Sequence, residues 1–341
     1  MKLGFLTHVH GPGRPAADVY RDVVDTVVAA EELGFDSAWI AQHHLRGDYG
    51  RLPSPLLVLA AAAQRTRRIR LGTAVTVLPL EPPLRLAEDA AVLDALSGGR
   101  VELGLGSGGA NQDAFGAFGA RVEDRHAQFD ERLAVLRAAL RGEPVVEGLA
   151  EAGLPGGAAS TAVLQPPAPG LADRLWQSTS DPSRAAAVAR AGDGLLLGTA
   201  THDPETVQRP LAEAYRAALT GPGRVAAVRA VFPAADRATA RDDLAPALDV
   251  HRQAFVRHGL TELAELTTDQ YLRRINVHLG APDEIVLGLA RDPGLGDLVD
   301  ELVVVVSHER SEVAADIARL EVVAREIAPA LGWSPAREAV A

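Results

Sequence analysis

The 341-residue sequence contains no cysteine, a single lysine and few aromatic residues. The lack of cysteine excludes disulfides, thiolate nucleophiles, Cys-ligated zinc and iron–sulfur clusters. Lys2 is the only lysine, and a lone lysine near the start of the chain is a poor candidate for Schiff-base catalysis. The chemistry must therefore come from other side chains or from a bound cofactor.

Positive charge and long hydrophobic runs are also scarce. The formal net charge is -11, which disfavours nucleic acid or an anionic membrane as a general partner. Residues 1–6 lack a signal-length apolar core, and runs such as 56–63 are far below the roughly 18 residues that suggest a membrane span. We therefore expect a cytoplasmic protein that binds neither nucleic acid nor membrane.

The pattern that is present is an alternation of short apolar runs with longer stretches of helical periodicity. Such alternation is typical of parallel strands joined by crossover helices. Eight of these units make a (β/α)8 barrel of about 250 residues, so we predict one TIM-barrel domain over 1–341 with insertions. The predicted strands are 3–7, 37–41, 69–75, 101–105, 175–178, 194–198, 225–232 and 298–306.

The stretches between these strands predict the outer helices of the barrel. Two segments, near 142–173 and 259–280, fit no unit, and segments this long inside compact domains are usually lids, binding loops or disordered pieces. The predicted helices are 17–33, 55–66, 84–96, 123–140, 182–191, 204–219, 237–258 and 312–327, with a further short helix over 282–290.

A histidine pair, His43 and His44, follows the second predicted strand. Ligands bind at the carboxyl ends of the strands in a parallel barrel. Histidine titrates near neutral pH and serves as a general acid, general base or metal ligand. The pair is therefore a candidate for catalysis, with a structural or solvent-facing role as the alternative.

Two further histidines, His8 and His10, follow the first predicted strand with the spacing of some metal-dependent barrel hydrolases. Such a site needs more His or carboxylate ligands after later strands, and usually a bridging acid. The eighth strand is followed by Ser307, His308 and Glu309 rather than by a clear strand-end Asp. The sequence therefore predicts no metal site, and a metal-dependent hydrolase stays an alternative.

Glycines cluster at the end of the fourth predicted strand. Gly104, Gly106 and Gly109 formally match G-x-G-x-x-G, but no clean helix opens at the last glycine, so the motif is a weak indication of a dinucleotide site. A steric interpretation is that glycines let the backbone approach a flat or bulky ligand closely.

A hydroxyl-rich turn that contains Ser178, Thr179 and Ser183 leads from the fifth predicted strand into a helix. Free backbone N–H groups and the helix dipole favour an anion there. Serine at a helix start is also an ordinary cap. Arg125 is likewise either a phosphate donor or a solvated helix charge.

Taken together, these features resemble the bacterial luciferase family, the luciferase-like flavin-dependent monooxygenases, over almost the whole chain. The similar stretches begin with residues 1–5 and 30–39, which precede the histidine pair. A long stretch from Leu71-Gly72-Thr73-Ala74-Val75 to Leu96-Ser97-Gly98-Gly99-Arg100 also matches. The C-terminal part contributes 280–284, the final strand and 327–329.

The resemblance implies an FMN-dependent monooxygenase in which reduced FMN and O2 oxygenate a small organic substrate through a C4a-peroxyflavin. His43 matches the catalytic histidine, although Gln42 stands where the family usually has Glu. Thr73 and Ala74 match a non-prolyl cis peptide under the flavin ring. The cofactor residues implied are Thr73, Ala74, Gly106, Ser107, Arg125, Ser178, Thr179 and Ser183, with Ser107 in place of an Arg of luciferase proper.

The resemblance also implies partners and a substrate pocket. Because no separate nucleotide domain is visible, a partner flavin reductase would supply reduced FMN, and the helices 55–66 and 84–96 would form a homodimer interface. His8, His10 and His44 are candidates for the substrate pocket, which the two insertions would shape. Besides the metal-dependent hydrolase, the alternatives are a deazaflavin-dependent hydride-transfer enzyme and a flavin-binding protein without turnover.

Overall fold

The strands form a closed parallel barrel in the computed structural model, which describes residues 1–45, 50–145, 162–198, 202–257 and 261–335. The hydrogen-bonded order is β10–β1–β2–β3–β5–β6–β7–β8, and β10 pairs with β8 to close the ring. This confirms the predicted TIM barrel. The strands are β1 Lys2–Thr7, β2 Ser37–Ile40, β3 Arg70–Thr73, β4 Thr76–Val77, β5 Val101–Gly106, β6 Leu175–Gln177, β7 Gly194–Leu197, β8 Val225–Pro233, β9 Val277–Gly280 and β10 Glu301–Val305.

Helices follow the strands and cover the outside of the barrel. Proline occupies the first turn of α2, where its missing N–H costs nothing, and Gly98 ends α3 in the left-handed conformation with a φ of 69°. The helices are α1 Ala16–Glu32, α2 Pro55–Arg65, α3 Pro83–Ser97, α4 Arg125–Leu140, α5 Pro182–Arg190, α6 Arg209–Ala217, α7 Arg237–Arg257, α8 Thr268–Arg274, α9 Pro282–Ala290, α10 Val313–Val322 and α11 Ala328–Ala330.

The largest departure from the predicted elements lies in the second predicted insertion. Instead of an irregular segment, 261–280 contains α8 and the strand β9, which pairs with the end of β8. A capping box at Thr267 and Gln270 starts α8. Of the first predicted insertion, residues 146–161 lie outside the described residues.

Two predicted strands have different bounds in the structure. The third, predicted to run to residue 75, ends as β3 at Thr73, and the sheet resumes in the short strand β4 at Thr76. The eighth begins at Glu301 rather than at 298, because a short 3-10 turn occupies Gly296–Leu298. The other strands and helices agree with the predictions to within a few residues.

Two tryptophans fill the inside of the barrel. Trp39 of β2 and Trp176 of β6 meet edge to face, with 5.4 Å between ring centroids. Their indole N–H groups donate to the carboxylates of Glu301 and Glu102 at 3.0 and 2.7 Å. These rings belong to a buried apolar cluster inside the barrel, and Ala74 packs against that cluster. Ligand space is therefore expected at the barrel mouth rather than along its axis.

The described helices include none that is both long and apolar enough to cross a membrane.

A buried ion pair ties β8 to the segment after α9. The Arg229 guanidinium donates to both carboxylate oxygens of Asp292 at 2.6 and 3.0 Å, and Arg229 is 0% exposed. Burial raises the pKa of Asp292, but the nearby His278 and the Arg229 charge more than offset this and hold it below its usual value. Breaking such a pair leaves a buried charge without a counter-ion.

We expect Arg229→Met to lower the free energy of unfolding by about 3–5 kcal/mol at pH 7, because Asp292 is then left charged and buried. The penalty shrinks as the pH falls, because burial without the guanidinium raises the pKa of Asp292 in the variant and a protonated Asp292 carries no charge. Urea unfolding measures both. Arg209→Met, which removes an exposed pair with Glu213, is the matched control and should cost far less, because water screens that pair. Equal losses in the two variants would contradict the assignment.

Candidate functional site

His43 lies buried at the carboxyl end of β2, as the sequence predicted. Its backbone N–H donates to the Leu52 carbonyl at 3.0 Å, and the residue is 5% exposed. The ring centroid is 5.6 Å from that of His8, which follows β1. A Cβ at Gly50 would lie 2.3 Å from His43 Nδ1, so only glycine leaves room for the ring in this position. The catalytic role of His43 stays a prediction.

The side chain of Gln42 joins three segments at the barrel mouth. Its amide nitrogen donates to the Pro53 carbonyl at 2.9 Å and to Glu81 Oε1 at 2.7 Å. Its oxygen accepts from the Val77 N–H at 2.6 Å. Gln42 is 3% exposed. Where the related family usually has Glu, this chain therefore has a fully hydrogen-bonded amide, and a carboxylate lies one contact further away at Glu81.

Asn111 is a positioning residue that the sequence analysis missed. It is buried, its Oδ1 accepts from the His44 N–H at 3.2 Å, and its Nδ2 donates to the Gln42 carbonyl at 3.4 Å. The His44 ring packs against Phe118 with 4.8 Å between centroids. Burial lowers the pKa of His44, and the charge of Glu81 opposes this. No motif marks Asn111, because it belongs to a short irregular helical segment after β5.

The non-prolyl cis peptide lies one residue later than the sequence analysis placed it. The prediction was the Thr73–Ala74 bond, whereas the structure has the Ala74–Val75 bond in the cis form. Ala74 still follows the strand, because its N–H donates to the Ile40 carbonyl at 2.9 Å, and the chain leaves the sheet only after it. Thr73 is also held in the sheet, since its hydroxyl donates to the Gly104 carbonyl at 2.8 Å.

Two of the glycines on β5 make room for this neighbouring segment. A Cβ at Gly104 would lie 2.0 Å from the Thr73 carbonyl oxygen, and one at Gly106 would lie 2.5 Å from Val75 Cγ2. The glycine cluster predicted a close approach of the backbone to a ligand. At these two positions the backbone instead approaches the neighbouring segment of the chain. Contact of Gly106 with a ligand stays a prediction.

A polar groove lies between α4 and the β6–α5 turn, with a volume of about 760 Å³. Three residues of the predicted cofactor set, Ser107, Ser178 and Thr179, line it together with Ser180. Ser107 and Ser178 follow the adjacent strands β5 and β6, and the Ser178 N–H donates to the Leu105 carbonyl at 3.0 Å. The structure therefore brings these hydroxyls together at one edge of the mouth.

The sequence analysis missed the charged and titratable side chains that line this groove. They are the basic residues Arg184, Arg137 and His126 and the acidic residues Asp130 and Asp181. Arg137 is committed to buried Asp193 at 2.6 Å, whereas Arg184 pairs with Asp130, a mostly exposed residue, at 2.7 Å. Burial and then the charges of Arg125 and Arg184 lower the pKa of His126. Arg184 comes directly after the hydroxyl-rich turn in the sequence, so this position could have identified it as a groove residue.

Ser183 and Arg125 of the predicted phosphate set do not line this groove. The backbone N–H and the hydroxyl of Ser183 both donate to Asp181 Oδ1 at 2.8 Å, so Ser183 takes part in capping α5. Arg125 donates from Nη1 to the Val122 carbonyl at 3.2 Å, and its buried Nε has no hydrogen-bond partner within the described ranges. Their contact with a phosphate stays a prediction.

A second cavity, of about 130 Å³, lies on the other side of the mouth. His8 and His10 line it, as the predicted substrate pocket requires, together with His251 and His308, while His44 does not. Burial lowers the pKa of His8 and of His251 to about 4. These imidazoles are therefore uncharged at neutral pH.

No group of three or more His, Cys, Asp or Glu residues in the described part of the chain is arranged to hold a metal ion. His8 and His10, the pair with the spacing of a metal site, instead contribute to the cavity wall.

The chain also matches a model of a known protein family. The model of one family, described as luciferase-like monooxygenase, matches residues 1–295. The chain belongs to the luciferase-like monooxygenase family. This confirms the resemblance seen in the sequence.

Curated relatives match over part of their length. The uncharacterized protein y4vJ of Sinorhizobium fredii is 37% identical over 198 residues, which cover 58% of this chain and 54% of the relative. The 4-hydroxyprotoasukamycin monooxygenase of Streptomyces nodosus subsp. asukaensis is 38% identical over 143 residues, or 41% of this chain and 38% of the relative. The chain thus spans about half or less of the length of these relatives of the luciferase-like monooxygenase family.

Solved structures share the fold over almost the whole chain. Monooxygenase RslO1 from Streptomyces bottropensis has a TM-score of 0.78 at 24% identity, covering 96% of this chain and 99% of that chain. The oxygenating constituent of 3,6-diketocamphane monooxygenase from Pseudomonas putida, solved in complex with FMN, has a TM-score of 0.72 at 21% identity, covering 96% and 98%. An F420-dependent secondary alcohol dehydrogenase has a TM-score of 0.71 at 18% identity, covering 97% and 98%.

We expect Gln42→Glu to destabilise the chain by about 2–4 kcal/mol at pH 7, because a buried carboxylate would then face Glu81 and the Pro53 carbonyl, both acceptors. The loss is smaller at pH 5, where the two carboxyl groups share a proton and one can donate again. Urea unfolding at the two pH values measures the difference.

The matched control for this substitution is the exchange Gln42→Glu with Glu81→Gln. It restores an amide donor opposite the new carboxylate and recovers part of the lost free energy at pH 7. A double variant that is no more stable than Gln42→Glu would show that the Gln42–Glu81 contact does not hold the mouth together.

Proposed function

We propose that this chain is an FMN-dependent monooxygenase, a single barrel domain that uses reduced flavin and O2 to oxygenate a small organic substrate. The observation that carries the proposal is the pairing of a buried histidine, His43, with a hydroxyl-lined groove and an uncharged cavity at one barrel mouth. Family membership supports the reaction class. Relatives named as F420-dependent make a deazaflavin hydride-transfer enzyme the second candidate.

The donors of the groove suit the phosphate end of a flavin. Ser107, Ser178 and Thr179 offer hydroxyl groups, and Arg184 offers a guanidinium whose present partner, Asp130, is mostly exposed. An exposed ion pair contributes about 0–1 kcal/mol, so the guanidinium can turn to a phosphate at little cost. Guanidinium–phosphate hydrogen bonds are charge-assisted and stronger than neutral ones.

The flat part of the cofactor would lie beside the Ala74–Val75 segment, between the groove and the cavity. When bound, reduced flavin would supply the electrons that activate oxygen. His43, buried beside His8, would hold or move a proton at the reacting substrate. Gln42 and Asn111 would keep His43 and His44 in place, and the apolar cavity wall would exclude water.

The proposed partners are a flavin reductase that supplies reduced FMN and a second copy of the chain. Exposed apolar side chains on α2 and α3 support the dimer, because Leu57 is 72%, Leu96 54% and Val92 46% exposed. These residues lie within the helices 55–66 and 84–96 that the sequence analysis assigned to a homodimer interface.

The proposal is tested by mixing the anaerobic protein with reduced FMN or a reduced deazaflavin, then adding O2 and a panel of ketones, aldehydes and thioethers. Incorporation of one atom of labelled oxygen with FMN supports the proposal. Anaerobic hydride transfer from the deazaflavin with no oxygenation would favour the second candidate. Flavin binding without any product would indicate a binding protein.

We expect His43→Ala to slow product formation by at least about 100-fold, because positioned proton transfer contributes roughly 10²–10⁴-fold. FMN affinity should change less than about twofold. His43→Gln, which keeps a polar side chain but does not titrate, should be equally slow. Product yield per flavin oxidised, compared with peroxide yield, is the measurement, and unchanged turnover in both variants would remove His43 from the reaction.

We expect Arg184→Met to weaken FMN binding by about 10-fold or more, because a charge-assisted hydrogen bond to the phosphate is lost. Asp130→Asn should strengthen it by about two- to fivefold, since the competing carboxylate is removed. Fluorescence titration measures both. Riboflavin, which lacks the phosphate, is the control ligand, and the same loss of riboflavin affinity in Arg184→Met would contradict a phosphate contact.

A further inference from the structure

A third cavity, of about 260 Å³, lies at the amino end of the barrel, opposite the mouth. Its lining includes the first residues of four strands, which are Lys2 of β1, Ser37 of β2, Arg70 of β3 and Glu301 of β10. Trp39 and Trp176 also line it, and their rings belong to the apolar cluster that fills the inside of the barrel. The cavity is therefore separated from the mouth, where the cofactor and substrate sites are proposed.

Several charged groups around this cavity already have partners within the protein. Glu102 accepts from Arg70 Nε and from the Trp176 indole N–H, the latter at 2.7 Å. Arg224 lies 4.9 Å from the Trp176 ring centre and donates to a backbone carbonyl at 3.1 Å. Glu31 accepts from three backbone N–H groups at distances between 2.7 and 3.0 Å. Two further acidic residues of the lining also accept from backbone N–H groups at 2.8 Å, namely Asp36 and Asp300.

Glu301 is a buried carboxylate with one oxygen left for a ligand. Its Oε1 accepts from the Ser37 hydroxyl and from the Trp39 indole N–H, the latter at 3.0 Å. Its Oε2 accepts no hydrogen bond within the described ranges, although the residue is only 4% exposed. This oxygen keeps accessible surface, unlike the unpartnered side-chain atoms that the protein encloses completely, and the residue lines the cavity. A donor placed on Oε2 would supply the missing bond, which is stronger when the donor is a cation.

Cationic groups with free donors lie on the neighbouring strands. Arg70 uses Nε for Glu102, and its two terminal nitrogens have no partner within the described ranges. Lys2 lies opposite Glu301 in the register of β1 and β10, and its charge lowers the pKa of that carboxyl, which burial raises. Arg70 lies opposite Ser37, whose hydroxyl donates to Glu301. A lone cation would therefore meet two positive charges here, and a lone anion would meet a buried carboxylate, whereas a dipolar molecule can pair with both signs.

We propose that the cavity at the amino end binds a small amino acid as its zwitterion, with the ammonium group on Glu301 and the carboxylate on Arg70 and Lys2. The hydrocarbon part would lie against the indoles of Trp39 and Trp176. The volume exceeds the roughly 150 Å³ of an engineered cavity that holds benzene, so an amino acid of about eight heavy atoms fits. The inference does not rest on the proposed function, because the two indoles separate this cavity from the mouth.

The test is an NMR titration of the isotope-labelled protein without flavin at about pH 7.5, in which the indole N–H signals are followed. The probes are L-norvaline, pentanoate, which lacks its ammonium group, and butylamine, which lacks its carboxylate. We expect norvaline to bind at least about 10-fold more tightly than either, as one charge-assisted hydrogen bond predicts. Norvaline should also shift the indole signal of Trp39, because that N–H donates to Glu301.

Three variants locate the site. Glu301→Gln keeps an acceptor for Ser37 and Trp39 but removes the charge, so it should weaken norvaline binding by about 10-fold or more without weakening pentanoate binding. Lys2→Met, at an exposed position, should weaken norvaline and pentanoate by about threefold or more and leave butylamine no weaker. Arg209→Met, which removes an exposed cation that does not line the cavity, is the matched control and should leave all three affinities unchanged. Thermal unfolding checks that each variant is folded.

Several results would overturn the inference. Pentanoate that binds as tightly as norvaline would indicate a simple anion site, and butylamine that binds as tightly would indicate a simple cation site. Norvaline affinity that is unchanged in both Glu301→Gln and Lys2→Met, or binding that leaves the Trp39 signal in place, would locate the ligand elsewhere. No binding at millimolar concentrations would also contradict it. Absence of flavin-dependent oxygenation would contradict the proposed function alone and leave this inference unaffected.

Discussion

The amide of Gln42 is the contact on which the geometry of the barrel mouth depends. It bonds to the backbone after the cis peptide, through Val77, and also to the Pro53 carbonyl and to Glu81. Because an amide both donates and accepts, it can satisfy a backbone N–H and two acceptors at once. A carboxylate at the same position has no donor to offer while it is ionised. These hydrogen bonds fix the backbone next to His43, which is the following residue.

Two different electrostatic environments lie on either side of His43. The groove at α4 and α5 holds paired guanidinium and carboxylate groups, such as Arg184 with Asp130, near the surface. The cavity beside α7 is lined by neutral imidazoles and hydrocarbon. An anion would find no counter-ion in the cavity, whereas Arg184 could pair with one in the groove, so the proposed function gives a cofactor with a charged tail one orientation at the mouth.

The order of strands and helices could be predicted from the sequence, because hydrophobic periodicity is a local property of the chain. The position of His43 followed from the same pattern, since strand ends meet at one rim. Other features depend on contacts between distant segments. Val75 lies against Gly106 of a different strand, and Asn111 contacts the histidine pair from an irregular segment. The hydroxyl of Ser183 likewise bonds to Asp181 at the start of α5, whereas Ser178 and Thr179 of the same turn line the groove.

The edge-to-face indoles of Trp39 and Trp176 have a consequence for how ligands reach the mouth of the barrel. Since they fill the inside of the barrel, a cofactor and a substrate bound at the carboxyl rim, as proposed, would both have to enter from that side. A cofactor bound at that rim would narrow the route to the cavity that His8 and His10 line. A bound cofactor would then set the order in which ligands bind and leave, because small molecules such as oxygen could pass it whereas a second large molecule could not.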